Sequence, residues 1–410
     1  MIRPLALAAF ALLPHLCAQD LLPKGAPQRG AVILANATIH TGSGEVVLNG
    51  TIWFRDGKIQ GVLPKGENPR LGEVTVAPVR VDLEGRHVFP GMISAHTSLG
   101  LVEIGQVPQS VDTNELGDMS PEAVAATAVN PDSAAIPVAR SNGVLAALTF
   151  PIGGSVPGQA SLIQLDGWTN ADMALLRAAG PVVSWPSEGG GRSRWRRSPS
   201  PDAPSADAPS ADARRRRIDE AFAAALAWGA ARAEDPTVAR DIRHEALLPA
   251  ARGERPVFVL ANAVEAIESA VQWGAQRALR IVIVGGHEAR ACAEMLKQHD
   301  VPVVIDGVHR LPRREDAPYD EPFTLPRDLN AAGVRFCIAT GDDFSNDRNL
   351  PYHAATAAAF GLPEAVALAA VTRTPAEILG VGDRMGTLEV GKDATLFVAD
   401  GSPLELKTHV

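Results

Sequence analysis

Three polar residues stand where apolar runs of this chain come to an end, and their types could do chemistry. His96 closes "VFPGMISAH", His287 follows Gly285-Gly286 in "IVIVGGHEA", and Asp342 ends "VRFCIATGDD" beside Asp343. Imidazole and carboxylate groups exchange protons near neutral pH and bind divalent cations through nitrogen and oxygen. Each also has a structural reading. His96 can hydrogen-bond a neighbouring carbonyl at a strand end. His287 can face solvent where a helix opens, and acids before "FSND" can cap one. His309 lies just past "VVIDGV". Glu103, Asp112, Asn114, Glu115 and Asp118 crowd the loop "LVEIGQVPQSVDTNELGD". Arg310, Arg313 and Arg314 share "GVHRLPRREDAPYDEPF", where guanidinium groups can hold a carboxylate or pair with Glu315 and Asp316.

The elements that must position these residues read as alternating strands and helices. "HVFPGMIS", "GVLAALTF", "ASLIQLDG", "PVVSW", "RPVFVLANA", "LRIVIVGG", "VPVVIDGV" and "VRFCIAT" are eight apolar strand candidates. Ala-, Glu- and Arg-rich stretches of helical spacing lie between most of them, which is the count of a (β/α)8 TIM-like barrel over residues 81–380. A doubly wound open sheet is the alternative, and no strand is followed by a Gly-rich phosphate loop to favour it. Residues 31–80 and 381–410 are β-rich, with Gly-Ser-Gly, Asn-Gly and Asp-Gly as hairpin signals. They predict one small composite β-sandwich domain built from both termini. Residues 186–217, rich in Arg, Pro and Ser, predict a flexible surface insertion.

Composition narrows the partners. The 410 residues carry 38 basic and 47 acidic side chains, a net charge of -9, and 5% aromatic residues. An acidic, aromatic-poor chain argues against nucleic-acid binding. "MIRPLALAAFALLPHLCAQD" has Arg3, an apolar run from Leu5 to Leu13 and a small-residue exit after Ala18. That predicts a signal peptide over 1–18, export to the periplasm or the exterior, and no membrane span. Cys292 and Cys337 then remain as two buried free thiols.

"NATIHTGSGEVVLNGTIWFRDGKIQGV", "VFPGMISAHTSLGL" and the long closing block "YHAATAAAFGLPEAVALAAVTRTPAEILGVGDRMGTLEVGKDATLFVADGSPLE" resemble the amidohydrolase superfamily, in particular its imidazolonepropionase-like branch. The resemblance covers nearly the whole chain. It implies metal ligands at the C-terminal ends of barrel strands: His-X-His on the first, histidines on the fifth and sixth, an aspartate on the eighth. A metal held this way lowers the pKa of bound water, and the aspartate shuttles the proton. By that pattern His96 and Asp342 match, and His287 is a displaced candidate. Ser98, Leu260 and Gly285-Gly286 stand where the other histidines belong.

The expectation is therefore a hydrolase of cyclic amide-like C–N bonds with at most one divalent metal, zinc by the family pattern, held by His96, His287 and Asp342. Asp342 is the catalytic group. The alternative is a metal-free barrel that binds a small molecule or protein. Hydrolysis without metal, with Asp342 as general base, is a third option. The chain's end at "PLELKTHV" could leave a sheet edge open to a second copy, a homo-oligomer.

Overall fold

The computed structural model describes residues 24–72, 75–187, 209–341 and 344–410. The chain starts with five strands of a small sheet: β1 (Val32–His40), β2 (Val46–Arg55), β3 (Lys58–Leu63), β4 (Val79–Asp82) and β5 (His87–Pro90). Asp56 and Gly57 both take positive φ, 51° and 71°, which the two-residue turn between β2 and β3 requires. The Asn49-Gly50 pair does not turn. It lies inside β2 beside a register irregularity, where a Cβ on Gly50 would meet the Leu63 carbonyl at 2.8 Å.

The barrel follows as β6 (Met92–Thr97), β7 (Val144–Thr149), β8 (Gly158–Gln164), β9 (Ala174–Ser184), β10 (Pro256–Ala261), β11 (Arg280–Gly285), β12 (Val303–Asp306) and β13 (Phe336–Ala339). These eight strands form one sheet in sequence order. The last strand, β14 (Leu396–Ala399), returns to pair antiparallel with β5, so both chain ends build the six-stranded small sheet. The apolar run "HVFPGMIS" is thus two strands. Gly91 separates them in a space where a Cβ would press on Leu145 and Thr395 at 2.8 Å.

Two further features depart from the sequence reading. β8 pairs antiparallel with both β7 and β9, so seven barrel strands run one way and one runs against them. Only eight residues join β7 to β8, too few for the helical crossover a parallel pair needs. The insertion expected over 186–217 also ends early. Ser210 caps a helix, Ala211–Glu234, by accepting from the Ala213 N–H, and the four arginines lie in its first turns. Arg215 donates to the Pro186 carbonyl at 2.9 Å and Arg217 meets Asp118 at 3.4 Å.

Alternation along the strands sorts the core into two layers. Ile93, Leu148, Phe150, Leu162, Phe258, Val284 and Val304 fill the barrel interior. Val144, Val257, Ile283, Ile305 and Ile338 pack outward against helices. Each fully buried side chain of this size contributes about 1.5–3 kcal/mol. Cys337 lies in the inner layer and Cys292 in the outer one, both buried and free.

β6 and β13 close the ring indirectly. The Ile93 N–H donates to the Val371 carbonyl at 2.8 Å and the Ile338 N–H to the Ala370 carbonyl at 2.9 Å. Two consecutive carbonyls from the closing helices therefore serve the facing edges of the first and last barrel strands. No described helix is long and apolar enough to cross a membrane.

Candidate functional site

The C-terminal ends of the barrel strands bring together residues far apart in sequence. β6 delivers His96, whose side chain is 6% exposed. Its ring stands edge-on to Phe150, centroids 4.6 Å apart, and Phe150 in turn meets Phe258 at 5.4 Å. These aromatic rings form an apolar base beneath the mouth. Leu260 packs against the same interior cluster.

Asp306, at the end of β12, organises the polar side of the mouth. Its Oδ1 lies 3.0 Å from His96 Nδ1. Burial alone would push this carboxyl up, but His96, His287 and Arg310 together hold it below the usual carboxylate range. An ionised carboxylate can only accept, so His96 Nδ1 donates to it. The backbone carbonyl of the same Asp306 sits 3.2 Å from His287 Nε2, which must donate there. Burial first, then Arg310, push His287 down to about 4, so its ring is neutral at pH 7.

Gly285, Gly286 and Asn262 place His287. Gly285 has φ 102°, and a Cβ on it would meet Asn262 Oδ1 at 2.3 Å. The carboxamide can approach only because that position is glycine. Asn262 Oδ1 then accepts from the His287 N–H at 3.4 Å. His287 is thus turned inward to Asp306 rather than out to solvent.

A second buried acid lies at the junction of β6 and β13. Asp347 is fully buried; it accepts from Ser94 Oγ at 2.6 Å, Thr97 Oγ1 at 2.5 Å and Thr340 Oγ1 at 2.8 Å. Burial pushes its carboxyl up to about 6, against the opposing pull of the three hydroxyls and His96. Ser94 and Thr97 flank His96 on the same strand, so Asp347 anchors the strand end that presents the imidazole.

Asp342, the expected proton shuttle and metal ligand, lies outside the described residues, as do Asp343 and Glu188. His309 is exposed and bonded to Thr356 Oγ1 at 2.7 Å, its ring 4.1 Å from that of His353. His353 is buried, accepts from the Val308 N–H at 3.0 Å and is pushed down to about 3 by burial. Arg310 reaches the His287 carbonyl at 3.4 Å and the Leu311 carbonyl at 3.3 Å, while its buried Nε has no partner. Arg313 pairs with Glu288 at 3.7 Å and Arg314 with Asp316 at 3.5 Å. In the acidic loop, Glu103 accepts from the Ala134 N–H and Asp118 from Ser155. Asp112, Asn114 and Glu115 line a cavity of about 470 Å3 with Glu122.

Asp306, Asp347 and His353 were not singled out from sequence. For Asp306 a signal exists, an acid at the C-terminal end of an apolar barrel strand, where such folds keep their chemistry. Asp347 has no local signal, since its donors lie on other strands.

The described residues alone fit a metal poorly. His96 Nε2 suits a cation, its ring oriented by a carboxylate as metal-bound histidines are. His287 Nε2 is committed to a carbonyl and Asp306 Oδ1 to His96. Among the described residues no group of three or more His, Cys, Asp and Glu side chains is placed to hold a metal ion.

Comparisons with known proteins agree with the geometry. Residues 265–410 match the model of the amidohydrolase family. Amidohydrolase tasK of Hapsidospora irregularis is 26% identical over 377 residues, which is 86% of this chain. The chain is similar to amidohydrolases in its C-terminal sequence and in its fold. It spans 38% of the length of that curated relative. An amidohydrolase of Thermotoga maritima has the same fold, with a TM-score of 0.79, 24% identity, and coverage of 92% of this chain and 96% of that one. An adenosine deaminase from Xanthomonas campestris with bound zinc is a more distant member of the fold, with a TM-score of 0.51, 20% identity, and coverage of 93% and 87%.

Proposed function

We propose that the protein hydrolyses a small-molecule, cyclic amide-like C–N bond at the barrel mouth, with His96 as general base and Asp306 as its positioning partner. The observation that carries this reading is the 3.0 Å contact of His96 Nδ1 with an Asp306 carboxylate held ionised. Asp306 accepts from Nδ1 and orients the ring, with Nε2 as its basic nitrogen. His96 takes that proton from water as the oxygen attacks the carbonyl carbon. It returns the proton to the departing nitrogen when the C–N bond breaks, so the imidazole ends as it began. Arg310, half-buried with donors to spare, is a cation suited to the oxygen on which negative charge develops. No step here is routed through a metal, and the proposal includes at most one.

Turnover of hydantoins, lactams and short acyl-amides by the full chain tests the reading, beside elemental analysis of protein purified without chelator. The expected result is hydrolysis of at least one class, lost in His96→Ala. A second reading, a barrel that binds without hydrolysing, is favoured by the apolar base of Phe150, Phe258 and Leu260. Flat turnover across the panel, with a panel compound still raising the melting temperature, would decide for it.

A further inference from the structure

A cavity of about 380 Å3 lies at the foot of the barrel, between the small sheet and the closing helices. Met92 borders it at the start of β6, and His96 sits near the other end of that strand, so the cavity is roughly 13 Å from the mouth at about 3.3 Å per residue. Its volume falls within the range of small-molecule sites, and its lining is mostly apolar, with Glu45, Asn330, Thr372, Arg373 and Thr374 among the polar groups.

The wall contains a ladder of flat rings. His40 stacks on Phe89 with centroids 4.2 Å apart and planes within 11°, and Phe89 continues to Phe397 at 5.5 Å. His87 extends the ladder on the other side, its Nδ1 2.9 Å from His40 Nε2. Burial first, then His87, push His40 down to about 4, so at pH 7 it stacks as a neutral ring. Arg373 also lines the cavity. Its contact with Glu377, 3.6 Å between side chains 40% and 48% exposed, is a loose surface pair that leaves donors for another partner.

We propose that this cavity binds a small aromatic acid, with its ring against the His40–Phe89–Phe397 ladder and its anionic group against Arg373. Stacked and offset rings attract through their quadrupoles, and a guanidinium is the side chain best matched to a planar anion. The site is separate from the mouth and does not depend on the hydrolase reading.

The test is a fluorescence titration of the full chain with 1-anilinonaphthalene-8-sulfonate, an aromatic ring system carrying a sulfonate. Saturable binding at one site is expected. Val46→Glu, at an exposed lining position, is expected to weaken it by about tenfold or more by adding a second negative charge beside Glu45. Val366→Trp is expected to remove it by filling the space, with far-UV circular dichroism unchanged. If the tryptophan variant does not fold, Val46→Glu decides alone. His96→Ala, at the mouth, is expected to bind as the unaltered chain does. Absence of saturable binding, binding that a folded pocket variant leaves intact, or binding lost in His96→Ala would overturn the proposal.

Discussion

Asp306 and Asp347 are both carboxylates largely withdrawn from water near the same end of the barrel, yet their surroundings push them in opposite directions. Asp306 faces His96, His287 and Arg310 and is held low. Asp347 is met by Ser94, Thr97 and Thr340 and is pushed up to about 6. A direct imidazole hydrogen bond and the Arg310 guanidinium compensate a charge that burial disfavours, whereas hydroxyls compensate it only in part. The acid at the mouth is kept charged and can orient a base. The acid at the junction of β6 and β13 is kept near its switching point and serves as a fastener.

The largest expected effect separates the two by activity. On any amide the protein turns over, His96→Ala is expected to lower kcat about 10²–10⁴-fold, the usual worth of a positioned general base. Asp306→Asn should fall in the same direction, because an amide no longer fixes the tautomer. If Asp347→Asn lowers kcat as much as Asp306→Asn in a folded protein, the division of labour drawn here is wrong.

Asp347→Ala comes next and is read by chemical denaturation. It leaves two buried hydroxyls and a half-buried one without their acceptor, and stability is expected to drop by about 3 kcal/mol. A loss below about 0.5 kcal/mol, the scale of an ordinary surface change, would remove Asp347's role as a fastener.

Stability against pH sharpens the contrast. Asp347 has a raised pKa in the folded state, so its contribution is fully present below its ordinary value of 3.8 and is lost as pH rises through about 6. That shift is worth about 3 kcal/mol at about 1.4 kcal/mol per unit, and Asp347→Asn should flatten the decline. Asp306 has a lowered pKa, so its contribution is present above the ordinary carboxylate value and lost as pH falls through the folded one. Asp306→Asn should therefore remove a loss on the acid side, the opposite sign and the smallest effect of the series. Matching slopes in the two variants would erase the distinction.

Much of the fold can be read from local pattern. The Val- and Ile-rich runs mark all eight barrel strands, and the Asp56-Gly57 turn forms as its residue types require. The reversed direction of β8 cannot be read that way, because an apolar run buried on both faces looks the same in either orientation. Gly91 hides the break between β5 and β6 for a similar reason, since apolar residues continue on both sides. At the site, His96 and His287 stand out as polar residues ending apolar runs. Asp306 meets His96 across 210 residues and Asp347 meets Ser94 across 253. No periodicity in a single segment encodes pairings over such separations. The four arginines at 214–217 look like a solvated charge block, yet a serine cap and an alanine-rich continuation make them helical.

The two carbonyls of Ala370 and Val371 have a consequence for synthesis. The outer margin of β6 is finished by residues that are made only after all eight barrel strands. A nascent chain therefore carries a raw β margin until those residues emerge, an invitation to pair with another chain. Truncations that stop short of Ala370 should emerge as aggregates rather than as smaller soluble barrels.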